Sequence, residues 1–162
     1  MLKKQTEKIE ISPKIAREAR IAVIRSEFNP QITESLERHC LKILASAGIK
    51  DSQIKLYQVP GSLEIPLTAQ MIAQKKGANI IIALGAVIRG DTYHFELVAS
   101  QCARGCMDVS LKYNVPIIYE VLATHNMAQA KKRAGDDRNN KGREAAITAL
   151  RMLSTISQIG GK

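Results

Sequence analysis

The run Asn79-Ile-Ile-Ile-Ala-Leu84 is aliphatic after its first residue, on both of the faces that a strand would present. Such a strand is typical of the centre of a parallel sheet that helices cover on either side. Further runs rich in β-branched residues lie at 20–25, 54–59 and 116–121, and segments with apolar residues at helical spacing alternate with them. The pattern predicts an α/β fold, a three-layer sandwich with a mainly parallel central sheet.

Local signals predict where helices start and end. Asn29-Pro30 indicates a helix start, because asparagine caps helix N-termini and proline suits the first helical residue. Gly48 and Gly77 predict the ends of that helix and of the next one. Residues 1–19 are interpreted as a polar N-terminal arm, and residues 20–162 as a single domain.

The composition excludes several classes of protein. The chain has 162 residues, of which 45% are hydrophobic and 24% charged, so it is neither disordered nor collagen-like. No apolar segment is long enough to span a bilayer, and no apolar signal-peptide core is found near the start, so a cytoplasmic protein is expected.

The cysteine pattern argues against a disulfide-stabilised secreted domain, because three cysteines at no framework spacing cannot pair fully. Cys102 and Cys106 lie one helical turn apart and could in principle bind a metal ion. No histidine or further cysteine supplies a matching second pair, and buried small apolar side chains are the favoured interpretation. No metal site is predicted.

Unusual clusters of residues follow each of the predicted strands. They lie at 26–29, 60–66, 85–94 and 124–133. In an open parallel sheet, ligands bind at the carboxyl ends of the strands. The clusters therefore predict a binding site at that edge of the sheet.

Phe28, one of two phenylalanines in the chain, allows two interpretations. Beside a helix start it can pack on the first turn as a hydrophobic staple. In a polar loop it can instead offer a flat surface to an aromatic ligand ring. The residues alone favour neither interpretation.

Residues 85–94 suggest an anion site beside a proton-transfer group. Gly85 and Gly90, placed at a strand-to-helix junction, would let backbone N–H groups approach a phosphate near Asp91-Thr92. Such glycines are more often plain turn residues, and the Asp91 carboxylate would repel phosphate unless it points away. His94 follows in the first helical turn. A lone histidine is more often structural, yet an ordinary pKa near ~6.5 suits general acid–base catalysis.

Arg133 lies in the basic run Lys131-Lys-Arg133. Such a run on a helix is ordinarily a solvated face. An arginine there can instead bind a phosphate in bidentate fashion.

Together these clusters resemble the 6,7-dimethyl-8-ribityllumazine synthase family over about residues 20–157. The motifs that carry the resemblance are Phe28-Asn29, Val59-Pro-Gly-Ser-Leu-Glu-Ile-Pro66, Gly85-Ala-Val-Ile-Arg-Gly-Asp-Thr-Tyr-His94, Gln129-Ala with Arg133-Ala-Gly135, and Asn140-Lys-Gly142 with Glu144-Ala-Ala146. Each motif is weak alone, and their order and spacing are specific together. The resemblance implies a flavodoxin-like fold and no metal or organic cofactor. The implied reaction condenses 5-amino-6-(D-ribitylamino)uracil with 3,4-dihydroxy-2-butanone 4-phosphate in riboflavin biosynthesis.

The resemblance also implies roles for individual residues. His94 would transfer protons, and Phe28 would stack on the pyrimidine ring. The other residues that would bind aminoribityluracil are Ser62, Leu63, Glu64, Ala86, Val87, Ile88 and Tyr119. The residues that would bind the butanone phosphate are Asp91, Thr92 and Arg133. Tyr119 and Arg133 would reach in from a neighbouring subunit, since family members form homopentamers that sometimes assemble into 60-subunit shells.

The sequence departs from the family pattern at three places. Tyr119 stands where phenylalanine is common, which retains a ring. Residues 136–139 lack a lysine and a glycine that are usual there, which puts part of the phosphate contact in doubt, although Arg138 is placed to compensate. Asp91 occupies a position that is often small and uncharged.

Three other functions are alternatives to the implied synthase activity. A flavin or lumazine carrier without catalysis would need neither His94 nor Arg133. A nucleic-acid-binding protein is suggested by the net charge of +9, but the basic residues are not interleaved with aromatic rings and no known module is found. A riboflavin synthase on the same fold fits the complete set of motifs less well.

Overall fold

The computed structural model of the protein describes residues 9–160 of the 162-residue chain. Residues 1–8 of the predicted N-terminal arm lie outside the described residues. Short 3₁₀ turns lie at Asp51–Gln53 and Ser62–Glu64. The helices and strands in chain order are α1 (Pro13–Glu18), β1 (Ile21–Ser26), α2 (Pro30–Ser46), β2 (Ile54–Val59), α3 (Ile65–Gln74), β3 (Ile80–Ile88), α4 (His94–Tyr113), β4 (Ile117–Thr124), α5 (Met127–Arg133) and α6 (Lys141–Ile159).

The strands form one sheet in the order β2-β1-β3-β4, and all of its pairs are parallel. Ile21 of β1 is the register partner of both Ile54 in β2 and Ile80 in β3. Parallel neighbours require crossover connections, and helices supply them on both faces of the sheet. The predicted three-layer α/β sandwich is therefore confirmed.

Two apolar layers pack the helices onto the sheet, because successive side chains of a strand point to opposite faces. From β3, Ile80 and Ile82 enter the layer that also contains residues of α2 and α6. Ile81 and Ala83 enter the layer that contains residues of α3 and α4. All of these β3 side chains are fully buried, so the run at 79–84 is central, as its composition predicts.

The two strands beside the site are longer than the aliphatic runs that predict them. β3 continues through Gly85 to Ile88, and Gly85 is paired with Val121 of β4. The expectation that Gly85 lies at a strand-to-helix junction is therefore wrong. The cause is pairing with β4, which extends the ladder to Ile88 and Thr124 and is not visible in the local sequence.

α2 starts at the predicted residue, but the predicted capping interaction of Asn29 is not made. Pro30 is the first helical residue, and Asn29 is the capping residue in front of it. The Asn29 side chain makes no capping hydrogen bond. Its backbone is left-handed, with φ of 56°, and its amide Nδ2 donates to the Ala86 carbonyl at 3.0 Å. Asparagine is thus used here to join the loop after β1 to β3.

One of the two predicted glycine helix ends is confirmed. Gly48 has φ of 88° directly after α2, a conformation that glycine adopts at little cost. After α3 the left-handed residue is Lys76, with φ of 52°. Gly77 lies one residue further on, where its N–H donates to the Ile72 carbonyl at 3.0 Å. The left-handed residue at the end of α3 is therefore Lys76 and not a glycine, although Gly77 donates a hydrogen bond that closes the helix.

Two glycines allow helices to approach closely on either side of the sheet. A Cβ on Gly142 would overlap the backbone of Leu36, so α6 crosses α2 at this point. A Cβ on Gly105 would lie 2.8 Å from Cβ of Pro66, so α4 crosses α3 there. The second crossing fixes α4, which begins with His94, beside residues 62–64.

The described part of the N-terminal segment is held against the turn that precedes β2. Ser12 Oγ accepts a hydrogen bond from the N–H of Ile15 and caps α1. The Gln53 amide donates to the carbonyls of Ala16 and Ala19 at 2.8 and 2.7 Å. Within residues 9–160, no helix combines the length and the apolar character that a membrane crossing requires.

Candidate active site

A cavity of about 420 Å3 opens at the carboxyl end of the sheet. It is lined by Phe28 and Asn29 after β1, residues 61–64 after β2, residues 86–88 at the end of β3, and His94 with Val98 on α4. Segments that are distant in the sequence meet here, because the parallel strands all end at one edge. The predicted location of the site is thus the location of this cavity.

Phe28 presents an exposed ring to the cavity. Its exposed fraction is 70%, which is incompatible with a staple packed on the first turn of α2. The left-handed backbone of Asn29 and its bond to Ala86 fix the loop directly after the ring. A flat apolar face held in this way is suited to stacking on an aromatic ligand.

Residues 61–64 form a turn that is closed by one of its own side chains. The Glu64 carboxylate accepts a hydrogen bond from the Gly61 N–H at 2.8 Å, and Ile65 anchors the following helix in the core. Leu63 is about half exposed, and Ser62 is buried. The turn thus offers one apolar and one hydroxyl-bearing residue to a ligand in the cavity.

The floor of the cavity is the last part of β3. Residues 86–88 lie there as predicted, although they belong to the strand and not to the loop after it. Beneath them, the hydroxyls of Ser26 and Ser62 both lie 3.0 Å from the position that a Cβ on Gly85 would occupy. The absence of a side chain at Gly85 is therefore what admits both hydroxyls to this place.

His94 is the first residue of α4 and is exposed at the cavity wall. Its backbone N–H donates to Thr92 Oγ1 at 3.4 Å. Among residues 9–160, no carboxylate forms an ion pair with His94, and Glu96 binds Arg89 at 2.9 Å instead. The imidazole is thus accessible to a ligand and is not held by a local acid.

Asp91 and Thr92 lie in the exposed loop between β3 and α4 and do not line the cavity. Both ends of this loop are fixed. The Arg89 N–H donates to the Thr124 carbonyl at 2.9 Å, and the ion pair of Arg89 with Glu96 ties the end of β3 to the first turn of α4. Because α4 has 20 residues, its N-terminus beside this loop has the partial positive charge that favours a phosphate.

Tyr119 and Arg133 are not brought to the cavity of their own chain. Tyr119, on β4, is partly buried against α4, where its hydroxyl donates to the Ala99 carbonyl at 3.4 Å. Burial raises the pKa of the phenol. Arg133, in the last turn of α5, is exposed and donates to the Gln129 carbonyl at 3.2 Å.

The two cysteines on α4 are part of the core. Cys102 and Cys106 are buried in the layer between α4 and the sheet, which confirms the apolar interpretation. The two thiols interact, and the pKa of Cys106 is raised by this hydrogen bond and by burial. In the described part of the chain, no group of three or more His, Cys, Asp or Glu residues is arranged to hold a metal ion.

The segment that departs from the family pattern is held by internal bonds. Asp136 binds Arg38 at 2.7 Å and lies 3.4 Å from His39 Nε2. Asn140 is fully buried, and its side chain donates to the Gly135 carbonyl and caps α6 by accepting from the Gly142 N–H. Asn140 and Gly142 are therefore structural, since one caps α6 and the other permits its approach to α2.

Sequence reasoning missed some of the lining residues. Asn29 is predicted as a helix cap within the cluster at 26–29 and is given no role in the site, whereas it lines the cavity and bonds to β3. Val98 also lines the cavity, and its position one helical turn after His94 was a signal that could have found it. Ser26 belongs to the predicted cluster at 26–29 but does not line the cavity, and only the packing around Gly85 shows that it lies behind the lining.

A comparison with protein families matches the geometry. The family model described as 6,7-dimethyl-8-ribityllumazine synthase matches residues 18–157 of the chain. The match includes all four strands and every residue that lines the cavity.

Proposed function

The chain belongs to the 6,7-dimethyl-8-ribityllumazine synthase family, and from this premise we propose how its residues carry out the reaction. The protein is a transferase of riboflavin biosynthesis. It condenses 5-amino-6-(D-ribitylamino)uracil with 3,4-dihydroxy-2-butanone 4-phosphate and gives 6,7-dimethyl-8-ribityllumazine, phosphate and water. The observation that carries the assignment of roles is the single cavity that joins Phe28, residues 61–64, residues 86–88 and His94.

Aminoribityluracil occupies the cavity with its ring on Phe28. The exposed phenyl face supports stacking, and residues 61–64 and 86–88 supply the remaining walls for the ring and the ribityl chain. Backbone groups at the end of β3 and the hydroxyl of Ser62 are polar partners that this lining offers to the ligand. An apolar cavity with a few polar groups is the usual form of a small-molecule site.

His94 transfers protons as the substrate amine attacks the ketone and as the ring closes. An imidazole can accept a proton at one ring nitrogen and donate one from the other. The amine is itself the nucleophile, so no protein nucleophile is required. Holding two small molecules side by side can lower the barrier by roughly 7–11 kcal/mol, and the histidine adds to that contribution.

The butanone phosphate binds at the N-terminus of α4. The supporting features are the partial positive charge of this 20-residue helix and the loop with Asp91 and Thr92 at its start. The Asp91 carboxylate is exposed and can turn to solvent. Arg133 of the partner subunit supplies the full positive charge, because the chain's own Arg133 does not line the cavity.

The active sites are shared between subunits of a homo-oligomer, a pentamer in this proposal, with a 60-subunit shell as its larger form. The supporting observation is that Tyr119 and Arg133 lie apart from the cavity that they are expected to serve. Helices α3 and α4 also expose apolar side chains that a partner would cover. They are Leu67, Met71, Met107 and Leu111, each at least half exposed.

A cytoplasmic location belongs to the same proposal. Its support is that all three cysteines, Cys40, Cys102 and Cys106, are free and buried. Free thiols persist in a reducing compartment.

Two measurements test the proposed function. Incubation of the purified protein with both substrates should give the lumazine and phosphate in equal amounts, whereas a carrier would bind the lumazine and form none. Mixing chains with His94→Ala and chains with Arg133→Ala, after dissociation and reassembly, should give a higher activity than either variant has alone. Activity that stays at the level of the separate variants would contradict shared sites, and sedimentation of the same samples gives the subunit number.

A further inference from the structure

Ser26, the last residue of β1, has a buried hydroxyl without a hydrogen-bond partner among the described residues. The residue is 0% exposed, so its oxygen is also shielded from solvent. Buried hydroxyls are nearly always hydrogen-bonded, because leaving one unpaired costs free energy. An unpaired serine hydroxyl at this place therefore requires an explanation.

The surroundings of Ser26 join it to the cavity. Its Oγ and the Oγ of Ser62 lie on the same side of β3, each 3.0 Å from the position of a Cβ on Gly85. Ser62 lines the cavity and Ser26 does not, so Ser26 is the deeper of the two. Val121 Cγ1, at 3.1 Å from the same point, closes this space with an apolar group. The hydroxyls of Ser26 and Ser62 thus face the same small space beside Gly85.

The two serine hydroxyls can form a hydrogen bond with each other and still bind a ligand. A serine hydroxyl has one donor and two acceptor positions, and its proton turns to suit its partners. If Ser26 donates to Ser62 Oγ, the proton of Ser62 is left to point at an acceptor in the cavity. A hydroxyl fixed in this way binds an acceptor better than a freely turning one, because less rotational freedom is lost.

We propose that Ser26 is a positioning residue for the pyrimidine substrate. Its hydroxyl donates to Ser62 Oγ when the ligand is bound, so that Ser62 donates to an oxygen of aminoribityluracil or of the lumazine product. This inference rests on the proposed role of Ser62. It assigns Ser26 no contact with the ligand and no part in proton transfer.

Binding of the lumazine product by calorimetry, together with thermal unfolding of the same variants, tests the inference. Ser26→Ala should weaken product binding about 3- to 10-fold, which is the range of one neutral hydrogen bond. It should leave Tm unchanged or raise it, because the unliganded protein loses an unpaired buried hydroxyl. A purely structural serine would behave in the opposite way, with a lower Tm and unchanged binding. Ser46→Ala is the matched control, since Ser46 Oγ donates to the Ile43 carbonyl at the far end of α2.

A double-mutant cycle completes the test. Ser62→Ala should weaken binding at least as much as Ser26→Ala, and the double variant should bind no more weakly than Ser62→Ala alone. Additive losses, or unchanged binding in Ser26→Ala, would overturn the inference while Ser62 keeps its role. If Ser62→Ala itself binds normally, the proposed role of Ser62 fails and the inference falls with it. Neither result bears on formation of the lumazine by the unaltered protein, which tests the function separately.

Discussion

The cavity region (Phe28, residues 61–64, residues 86–88 and His94) and the β4 region (residues 117–143) differ in how completely one chain builds them. In the cavity region, separate segments converge on one open cavity. In the β4 region, Tyr119 bonds to Ala99 of its own chain and Arg133 to the preceding turn of its own helix. Neither of these two side chains faces the cavity.

This difference has a physical origin in the sheet. The strands β1 and β3 are central, and their carboxyl ends meet, so the cavity region follows from the packing of one chain. β4 is an edge strand, and several residues of the segment after it, Arg133 among them, are exposed. Internal bonds such as Arg38–Asp136 nevertheless hold this surface in place. A fixed surface that carries ligand-binding residue types is what a site shared with a partner subunit requires.

The largest expected effect lies in the cavity region, at its proton-transfer group. His94→Ala should lower kcat about 10²- to 10⁴-fold, the usual range for general acid–base catalysis. A measurable rate should remain, because the two substrates are still held together. Steady-state kinetics with His125→Ala as control measures this, since His125 lies outside the cavity. Complete loss of turnover in an assembled variant would give His94 a larger role than proton transfer.

A substitution in the β4 region should weaken the binding of one substrate, the butanone phosphate. Arg133→Ala should raise KM for the butanone phosphate about 10- to 150-fold, which corresponds to loss of a hydrogen bond to a charged group. KM for aminoribityluracil should change little. Lys132→Ala removes the same charge one residue earlier and is the matched control. Equal effects of the two variants would mean that general positive charge, and not Arg133, serves the phosphate.

A smaller effect is expected from the ring in the cavity region. Phe28→Leu keeps an apolar side chain and removes the flat aromatic face, so KM for aminoribityluracil should rise about 2- to 10-fold. KM for the butanone phosphate should stay the same. Phe95→Leu makes the same change at the second phenylalanine of the chain, which does not line the cavity. An unchanged KM for aminoribityluracil in Phe28→Leu would contradict the proposed stacking of the substrate ring on Phe28.

The sequence predicts features that depend on local pattern and misses those that depend on pairing between distant segments. The aliphatic runs locate the strands, and the rule for parallel sheets locates the cavity. Gly85 was misplaced because its strand is extended by pairing with β4, which no local pattern reports. The amide of Asn29 and the hydroxyl of Ser26 likewise have tertiary surroundings that a residue type alone does not reveal.

The smallest expected effect is a pH dependence of stability that arises in the β4 region. Glu120, on β4, has its pKa raised from 4.5 to about 7 by burial, with Glu144 adding to the rise and Lys141 opposing it. The folded protein therefore binds this proton more tightly than the unfolded chain, so Glu120 lowers stability progressively as pH rises from about 4.5 to about 7. Glu120→Gln should abolish that contribution and give a higher Tm than the unaltered protein at pH 8.

Thermal unfolding between pH 5 and 8 measures this difference, with Glu34→Gln as control because Glu34 is exposed on α2. The Tm difference between Glu120→Gln and the unaltered protein should grow with pH, whereas that of the control should stay constant. A partner subunit over β4 would bury Glu120 further and enlarge the difference in the assembled protein. Parallel pH profiles for the two variants would mean that Glu120 is hydrated in solution, and the expectation that a partner covers β4 would then fail at this strand.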